Sequence, residues 1–414
     1  MGDWRERIRR RTADRKAKEL QRTLRAQSRE DGSAILLATG KVLDFCSNDY
    51  LAMAGNREVL RAARTATLRI GAGARASRLV TGNYDLIEEL EAELADFKGT
   101  ESALVFPTGY QANLGLLGSL LESRDAVFVD RLAHSCLVDG IRLSGARLRV
   151  FPHNDLTRLR ALLERSADAP ARWIVTEGVF SMDGDLAPLP GLLELAEEHD
   201  ATVILDDAHG TGVLGAKGRG VTEHYGIEPG EWPRHLILTA TLGKALGSQG
   251  GVVLGPKELR CELVNVARTF IYTTGLAPAC AAAALAALRV LKREPRLVRA
   301  LEERTSLVRL CLEENGIALS TASQSPILPI LLGEPERAVA CSRQLERQGV
   351  LALPIRPPTV PRGTSRIRLT VTLNHDEAEC HQACHRVARA VAAAAKMKSP
   401  NTIHAFLIPT KETI

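Results

Sequence analysis

The chain has 414 residues, enough for two or three domains around a large hydrophobic core. Hydrophobic residues make up 45%, charged residues 25% and the net charge is +5, with basic residues interleaved among acidic ones, so the composition does not indicate binding to nucleic acid. No apolar run approaches the ~18 residues of a membrane helix, and the eight scattered cysteines are typical of reduced thiols, so we expect a cytoplasmic enzyme with no membrane partner.

The first hundred residues predict helices around one short strand. Residues 3–28 are highly charged, with apolar residues at helical spacing, which predicts a solvated helix packed across the body of the protein. Residues 42–46 predict a strand. Two amphipathic helices, 57–70 and 84–97, are expected to flank the glycine-containing loop 71–78.

From residue 103 onward, short apolar strands alternate with helices, which predicts a mostly parallel sheet covered by helices on both faces. The predicted strands are 103–106, 126–129, 148–151, 173–176, 202–206, 236–240 and 252–254, and the helices between them are 110–122, 135–144, 155–165 and 188–199. Helices dominate residues 256–315, and a smaller α+β unit follows, with strands 327–332, 350–355 and 366–372 and helices 335–348 and 376–395.

These elements predict four parts of the chain. They are an N-terminal helical segment (1–46), a large domain (47–285), a small C-terminal domain (286–397) and a tail (398–414). Polar residues follow five strands of the large domain, and ligands bind at the carboxyl ends of strands in such sheets. The residues expected to meet at that edge are Gly109, Tyr110, His134, Ser181, Asp206, His209 and Lys244.

Lys244 lies among small residues directly after a predicted strand. A phosphate-binding P-loop is excluded, because Leu238 stands where that motif needs glycine and Ala245 follows the lysine. A buried lysine of this kind can form a Schiff base with a carbonyl compound. Asp206 can pair with a pyridinium nitrogen, so the two residues together predict a site for pyridoxal 5'-phosphate (PLP). Asp207 points to the opposite face of its strand, which disfavours a metal shared with Asp206.

Several other candidate binding residues can also be explained without a bound ligand. The helix after Thr108 can bind an anion or carry only a cap, and His209 can contact a ligand or be a core histidine. Arg356, in a proline-rich segment, can bind a carboxylate or lie in solvent. Residues 375–385 carry three histidines and two cysteines, with Cys380 and Cys384, and His381 and His385, four residues apart. Because no second ligand cluster is found, we favour an ordinary helix and predict no metal.

Four motifs are similar to those of the α-oxoamine synthases, a family of fold-type-I PLP-dependent acyltransferases. They are residues 47–51 (SNDYL), 176–185 (TEGVFSMDGD), 206–212 (DDAHGTG) and 241–244 (TLGK), and the resemblance spans roughly residues 4–395. It implies the fold-type-I α/β fold. Residues 356–361 (RPPTVP) and 366–370 (RIRLT) are most similar to members that condense L-alanine with a pimeloyl thioester in biotin biosynthesis, and the alternative is a member that uses glycine with acetyl-CoA or another acyl-CoA.

The resemblance also implies residue roles. Lys244 would hold the cofactor covalently and remove the Cα proton of the amino acid, and Asp206 would pair with the ring nitrogen. His134 would stack on the ring beside the substrate, and His209 would bond the ring hydroxyl. The other cofactor contacts that the resemblance implies, including those to the phosphate, are Gly109, Tyr110, Ser181 and Thr241. Asn48 and Arg356 would hold substrate carboxylates, and Arg22 and Thr359 would lie near the acyl donor. Thr273 or Thr274 would reach the phosphate of a neighbouring subunit, which implies a homodimer with the active site at its interface.

The chain departs from the family pattern at three positions. Arg75 and Ala76 stand in a loop where relatives usually carry more glycines, and Ile87 stands where many relatives have histidine. We expect these changes to affect the loop shape and the acyl-donor side rather than the cofactor chemistry. A non-catalytic subunit of the same fold is a further alternative, but it should lack the Schiff-base lysine, and Lys244 is present.

Overall fold

Three sheets and the helices around them form the described part of the chain, residues 3–29 and 32–397 of a computed structural model. The strands are β1 (Ser28–Arg29), β2 (Ala34–Leu37), β3 (Gly40–Asp44), β4 (Ser102–Phe106), β5 (Ala126–Asp130), β6 (Arg147–Phe151), β7 (Arg172–Glu177), β8 (Ala201–Asp206), β9 (Leu236–Thr241), β10 (Gly251–Gly255), β11 (Ile327–Gly333), β12 (Val350–Leu351), β13 (Pro354–Ile355) and β14 (Ser365–Thr370). The predicted tail, 398–414, lies outside the described residues.

The helices agree with the predicted ones to within a few residues from residue 57 onward. They are α1 (Trp4–Ala17), α2 (Arg57–Ile70), α3 (Asp85–Lys98), α4 (Gly109–Leu120), α5 (Ser135–Ser144), α6 (Leu156–Glu164), α7 (Leu189–Glu198), α8 (Val221–His224), α9 (Lys257–Val266), α10 (Arg268–Ile271), α11 (Pro278–Arg293), α12 (Arg296–Glu314), α13 (Pro335–Arg347) and α14 (Glu377–Ala395). No helix in the described ranges is both long enough and apolar enough to span a membrane.

The largest sheet has seven strands in the order β4-β10-β9-β8-β7-β5-β6. β10 runs antiparallel to both neighbours, and the four pairs from β9 to β6 are parallel. Helices cover both faces, so successive residues of β4 enter different cores: Ala103 and Val105 pack on one side, and Leu104 and Phe106 pack on the other. This arrangement confirms the predicted mostly parallel, doubly covered sheet.

A second core lies between the three-stranded sheet β11-β14-β13 and helices α12, α13 and α14. Cys380 and Cys384 are buried inside it, and α14 begins with a capping box at Asp376. His385 lies on the surface and contacts Asn315. Residues 377–385 thus form the first part of α14, in agreement with the predicted helix 376–395.

The four-stranded sheet, β1-β2-β3-β12, joins three N-terminal strands to β12 from the C-terminal part of the chain. In it β12 pairs in parallel with β3, through Val350 with Leu43 and Leu351 with Asp44. The prediction of a single strand at 350–355 is wrong, because β13 pairs with β14 in a different sheet. Pro354 has no backbone N–H to donate, and it is accommodated in β13 because that strand lies at an edge and pairs on one side only.

Helix α1 lies apart from both cores. It ends at Ala17 and buries none of its residues, and Trp4 and Ile8 are 65% and 52% exposed. The predicted solvated helix is therefore present, but the prediction is wrong in its length, 3–28, and in its packing across the body. The physical reason is that the arginine-rich sequence presents no continuous apolar stripe to a partner surface.

Candidate active site

The carboxyl ends of the sheet strands open onto a cavity of about 310 Å³. Because parallel strands end at the same edge, the loops that follow them reach this cavity together. The predicted convergence is confirmed: the lining residues are Gly109, Tyr110, His134, Ser181, Asp206, His209, Thr241 and Lys244, together with Asn48, Asn113, Cys136, Glu177, Met182, Ala208, Ala240 and Arg368.

Lys244 enters the cavity from the turn between β9 and β10. The turn is fixed by backbone hydrogen bonds, including Gly247 N to the Lys244 carbonyl oxygen at 2.8 Å and Ser248 N to the Leu242 carbonyl oxygen at 2.9 Å. Burial lowers the pKa of Lys244, while Asp206 and Glu177 act in the opposite direction. A lowered pKa favours the neutral amine, the form that attacks a carbonyl and accepts a proton.

Asp206 ends β8 with its carboxylate in the cavity. Asn113 Nδ2 donates to Asp206 Oδ2 at 2.7 Å, and Asn113 Oδ1 accepts from Thr239 Oγ1 at 2.8 Å, so the carboxylate is held in a fixed orientation. The next residue, Asp207, faces the other side and pairs with Lys98 at 2.7 Å. The expectation that the two aspartates point in opposite directions is confirmed, and Asp206 alone faces the cavity.

His209 is buried next to Asp206 and contacts Tyr50. The Tyr50 hydroxyl lies 2.7 Å from His209 Nδ1, so a cavity ligand can bond only the other ring nitrogen, Nε2. Burial lowers the pKa of His209 well below its usual value, and the charges of Lys244 and Arg368 act in the same direction. The imidazole is therefore neutral at physiological pH, and Tyr50 orients it.

Glu177 lies at the end of β7, in register with Asp206, and was not selected from the sequence. Its Oε2 accepts the Ser181 backbone N–H at 3.3 Å, and its Oε1 is buried without a hydrogen-bond partner among the described residues. Burial and the charge of Asp206 raise the pKa of Glu177 to about 8, with Lys244 opposing them. Its position at a strand end beside Ser181 was the signal that could have identified it.

The N-terminus of α4 forms a cradle for an anion next to Thr241. Thr108 Oγ1 caps the helix by accepting from Gln111 N at 3.1 Å, so both sequence interpretations, the cap and the anion site, are compatible with the geometry. A Cβ on Gly251 would lie 2.5 Å from Gly109 Cα, and a Cβ on Gly109 would lie 3.4 Å from Thr241 Oγ1. Glycine at position 251 therefore lets β10 pack closely against the first turn of α4, and glycine at position 109 leaves Thr241 close to that turn.

Arg368, and not the predicted Arg356, lines the Lys244 cavity. The Arg356 guanidinium donates to the backbone oxygens of Glu19 and Gln21, and Arg356 is not among the residues that line the cavity. Arg368 Nη2 donates to Asn48 Oδ1 at 3.0 Å at the cavity wall, and its Nε is buried without a partner among the described residues. The prediction of Asn48 at a carboxylate site is thus compatible with the geometry, and that of Arg356 is not, because its guanidinium is turned to the N-terminal segment.

Arg22 and Thr359 lie together in a second cavity of about 870 Å³, which shares His134, Ser181 and Met182 with the first. Arg22 Nη2 donates to Thr359 Oγ1 at 2.9 Å. The two residues predicted near an acyl donor are therefore neighbours, and they line a space that continues from the Lys244 cavity.

Thr273 and Thr274 do not line the Lys244 cavity of their own chain. Thr273 Oγ1 accepts from Gln111 Nε2 at 3.2 Å, and Thr274 is exposed. Their predicted contact with the phosphate of a second subunit stays a prediction.

The three departures from the family pattern lie away from Lys244. Arg75 adopts a positive φ of 66°, which a glycine tolerates more easily, and its guanidinium bonds the Ile70 carbonyl oxygen at 2.7 Å. The Ala76 carbonyl oxygen accepts from Gly275 N at 3.0 Å. Ile87 is fully buried in the main core. None of the three lines either cavity.

Comparison with known proteins agrees with this geometry. Residues 40–387 match the aminotransferase class I and II family. The 8-amino-7-oxononanoate synthase of Maricaulis maris is 46% identical over 365 residues, which cover 86% of this chain and 90% of that protein.

Solved structures show the same fold. A serine palmitoyltransferase from S. paucimobilis with bound PLP and myriocin has a TM-score of 0.87 and 26% identity, and the match covers 94% of this chain and 98% of that one. An 8-amino-7-oxononanoate synthase from Francisella tularensis has a TM-score of 0.73 and 28% identity, with 85% and 98% covered.

Proposed function

The chain belongs to the α-oxoamine synthase branch of the aminotransferase class I and II family, and we propose that it catalyses the 8-amino-7-oxononanoate synthase reaction. In this reaction L-alanine condenses with a pimeloyl thioester, carbon dioxide is released, and PLP is the cofactor. The observation that carries the proposal is that Lys244, Asp206 and Arg368 line the same cavity.

The cavity residues fit PLP. The α4 cradle beside Thr241 suits the phosphate, the oriented carboxylate of Asp206 suits a protonated ring nitrogen, and the neutral His209 suits the ring hydroxyl. When bound, PLP supplies an aldehyde for the amino group and an electron sink for the Cα carbanion. His134 lies at the junction of the two cavities, a position that suits a ring stacked on the cofactor.

Lys244 is the base that we assign to the Cα proton. Its Nζ accepts a proton most readily as a neutral amine, and burial favours that form. The carboxyl of Glu177, with its raised pKa, lies in the same cavity and limits the negative charge that surrounds Lys244.

Arg368 is the group that we assign to the alanine carboxylate, with Asn48 as its positioning partner. Because Arg368 lines the cavity, a carboxylate bound there can accept charge-assisted hydrogen bonds from its guanidinium. The pimeloyl thioester enters through the second cavity, past Arg22 and Thr359, and its carbonyl carbon meets the Cα where the two cavities join.

A homodimer in the cytoplasm, with the active site at the subunit interface, is part of this proposal. The loop that carries Thr274 and the segment 71–84, which are joined by the hydrogen bond from Gly275 N to the Ala76 carbonyl oxygen, expose apolar side chains: Tyr272 and Val80 are 72% exposed and Leu79 is 52% exposed, as expected for a surface that a second subunit covers. Mixing Lys244→Ala chains with Thr273→Ala/Thr274→Ala chains tests the arrangement. Activity regained in mixed dimers supports a shared site, and the absence of recovery contradicts it.

The reaction is tested with the purified protein, PLP and a panel of acyl thioesters, with alanine or glycine as the amino acid. We expect alanine-dependent release of carbon dioxide with pimeloyl thioesters, and loss of both turnover and the borohydride-sensitive yellow colour in Lys244→Ala. Turnover with glycine and acetyl-CoA in place of alanine and pimeloyl-CoA would assign the chain to the sibling reaction. Carbon dioxide release that persists in Lys244→Ala would overturn the role of the lysine.

A further inference from the structure

His153 lies outside the Lys244 cavity, between two acids. It follows β6, and its Nε2 is 2.6 Å from Asp185 Oδ2, while its Nδ1 is 3.1 Å from Asp130 Oδ1. Its side chain is 20% exposed, and those of Asp130 and Asp185 are 0% and 11% exposed. The ring also packs edge-to-face on Phe180, with centroids 4.3 Å apart.

Each of these acids belongs to a segment that carries a cavity residue. Asp130 ends β5 and accepts the Leu132 backbone N–H at 2.7 Å, which fixes the start of the loop 131–134 that ends at His134. Asp185 lies in the segment 178–186, where the Phe180 backbone N–H donates to its carbonyl oxygen at 2.9 Å. That segment carries Ser181, so His153 connects the loop of His134 to the segment of Ser181.

Only the charged form of the ring can satisfy this arrangement. A neutral imidazole has one N–H donor, whereas the imidazolium has two, and both nitrogens of His153 face carboxylates. Asn154 completes the cluster, with its backbone N donating to Asp130 Oδ2 at 2.9 Å and its Nδ2 to the Leu186 carbonyl oxygen at 3.0 Å. Among the described contacts, Asp130 and Asp185 are the charged groups that face the ring, and Asn154 and Phe180 are neutral.

We infer that His153 is a positioning residue, whose imidazolium ties the loop of His134 to the segment of Ser181 and thereby shapes the site where the two cavities join. The inference rests on the proposed function only in that this junction is taken to hold PLP and the acyl donor. When His153 loses its proton, one of the two carboxylates loses its hydrogen bond from the ring, and the loop and the segment are then joined only through the weaker, uncharged contacts of Asn154 among those described.

The pH range follows from the protonation equilibrium. Burial lowers the pKa of His153, but hydrogen bonds to Asp130 and Asp185 outweigh it and raise the pKa to about 9. The pKa of His153 in the folded protein thus lies above the ordinary histidine value near 6.5. The contribution of the imidazolium to the stability of the fold is therefore fully present below pH ~6.5 and is lost as the pH rises through about 9.

The test compares the wild-type protein with His153→Gln, which keeps a polar side chain but cannot carry the charge. At pH 7 we expect the variant to bind PLP about tenfold more weakly, as fits the loss of a hydrogen bond to a charged group. As the pH rises through 9, the wild-type dissociation constant should approach that of the variant. His385→Gln is the matched control, because His385 lies on the surface against Asn315, and it should follow the wild type at every pH.

Two further measurements use the protein without bound PLP. The ring protons of His153 in the PLP-free protein should titrate above pH 8 by NMR, and the thermal midpoint of that protein should fall through pH 9 in the wild type but not in His153→Gln. Asp185→Asn, which removes one of the two charges, should move both transitions to lower pH and keeps the test decisive if His153→Gln fails to fold.

The inference would be overturned if His153 titrated near pH 6.5. It would also be overturned if the ratio between the PLP dissociation constants of His153→Gln and the wild type stayed constant from pH 7 to 10. Failure of the proposed function looks different. A wild-type protein that binds no PLP would contradict the cofactor assignment, while the titration of His153 and the thermal midpoints of the PLP-free protein would still report on the inference itself.

Discussion

The buried ion pair of Lys98 and Asp207 lies on the side of Asp207 that faces away from the Lys244 cavity, next to the segment that carries His209. Lys98 Nζ donates to Asp207 Oδ2 at 2.7 Å, and the two side chains are 1% and 0% exposed. Asp207 also accepts from Thr211 Oγ1 at 2.8 Å. It is enclosed by two glycines, because a Cβ on Gly210 or Gly220 would lie 2.0 or 1.9 Å from its carboxylate oxygens. The carboxylate therefore has no room to turn towards water if its cation is removed.

We expect Lys98→Met to lower the free energy of unfolding by about 3–5 kcal/mol, because it leaves an unpaired buried charge. PLP binding should also weaken, since Asp207 holds the start of the segment that carries His209. Urea denaturation followed by circular dichroism measures the first effect, and PLP titration measures the second.

Two variants separate the buried charge from general damage. Lys98→Met/Asp207→Asn removes the stranded charge and should recover at least about half of the lost stability. Lys292→Met is the matched control, because the Lys292 ammonium pairs with Glu93 and Asp96 at the surface, and it should cost about 1 kcal/mol or less. If Lys98→Met costs no more than Lys292→Met, the reasoning about burial is refuted.

Three further variants test the cavity itself. Arg368→Gln should raise the KM for alanine at least about tenfold while changing the KM for the thioester little, because a charge-assisted hydrogen bond to the carboxylate is lost; equal changes in both would contradict the assignment. Tyr50→Phe should weaken PLP binding about 3- to 10-fold, since His209 Nδ1 loses its partner at 2.7 Å, and unchanged binding would show that Tyr50 does not orient the ring. Gly251→Ala places a Cβ 2.5 Å from Gly109 Cα and should weaken PLP more than pyridoxal, which lacks the phosphate; an equal loss for both would argue against a phosphate site at α4.

The central sheet and the cofactor side of the site could be predicted because both follow from local rules. Apolar strands that alternate with helices imply parallel strands, and parallel strands deliver their following loops to one edge. Lys244, Asp206 and His209 therefore needed no knowledge of distant contacts. Glu177 was available to the same rule but was missed, since its motif was considered for Ser181 alone.

The substrate side could not be predicted in the same way, because it depends on which side of β14 meets the large sheet. Arg366 and Arg368 share one face of that strand, and the structure pairs Arg366 with Asp183 and Arg368 with Asn48. Sequence alone does not give the partner of a strand face, so the more conspicuous Arg356 beside two prolines was preferred. Asn113 was missed for a related reason: its partner, Asp206, lies 93 residues away.

The proposed carboxylate site links parts of the chain that the predicted domain limits separate. Asn48 follows the N-terminal sheet, whose strand β3 pairs with β12, and Arg368 comes from β14 of the second core. His375 strengthens the same junction, stacked on Phe45 at 4.0 Å with its Nε2 2.9 Å from the Asp44 carbonyl oxygen. Alanine bound between Arg368 and Lys244 would therefore bridge the C-terminal unit and the large sheet, so that substrate binding and the relative position of the two units are energetically coupled.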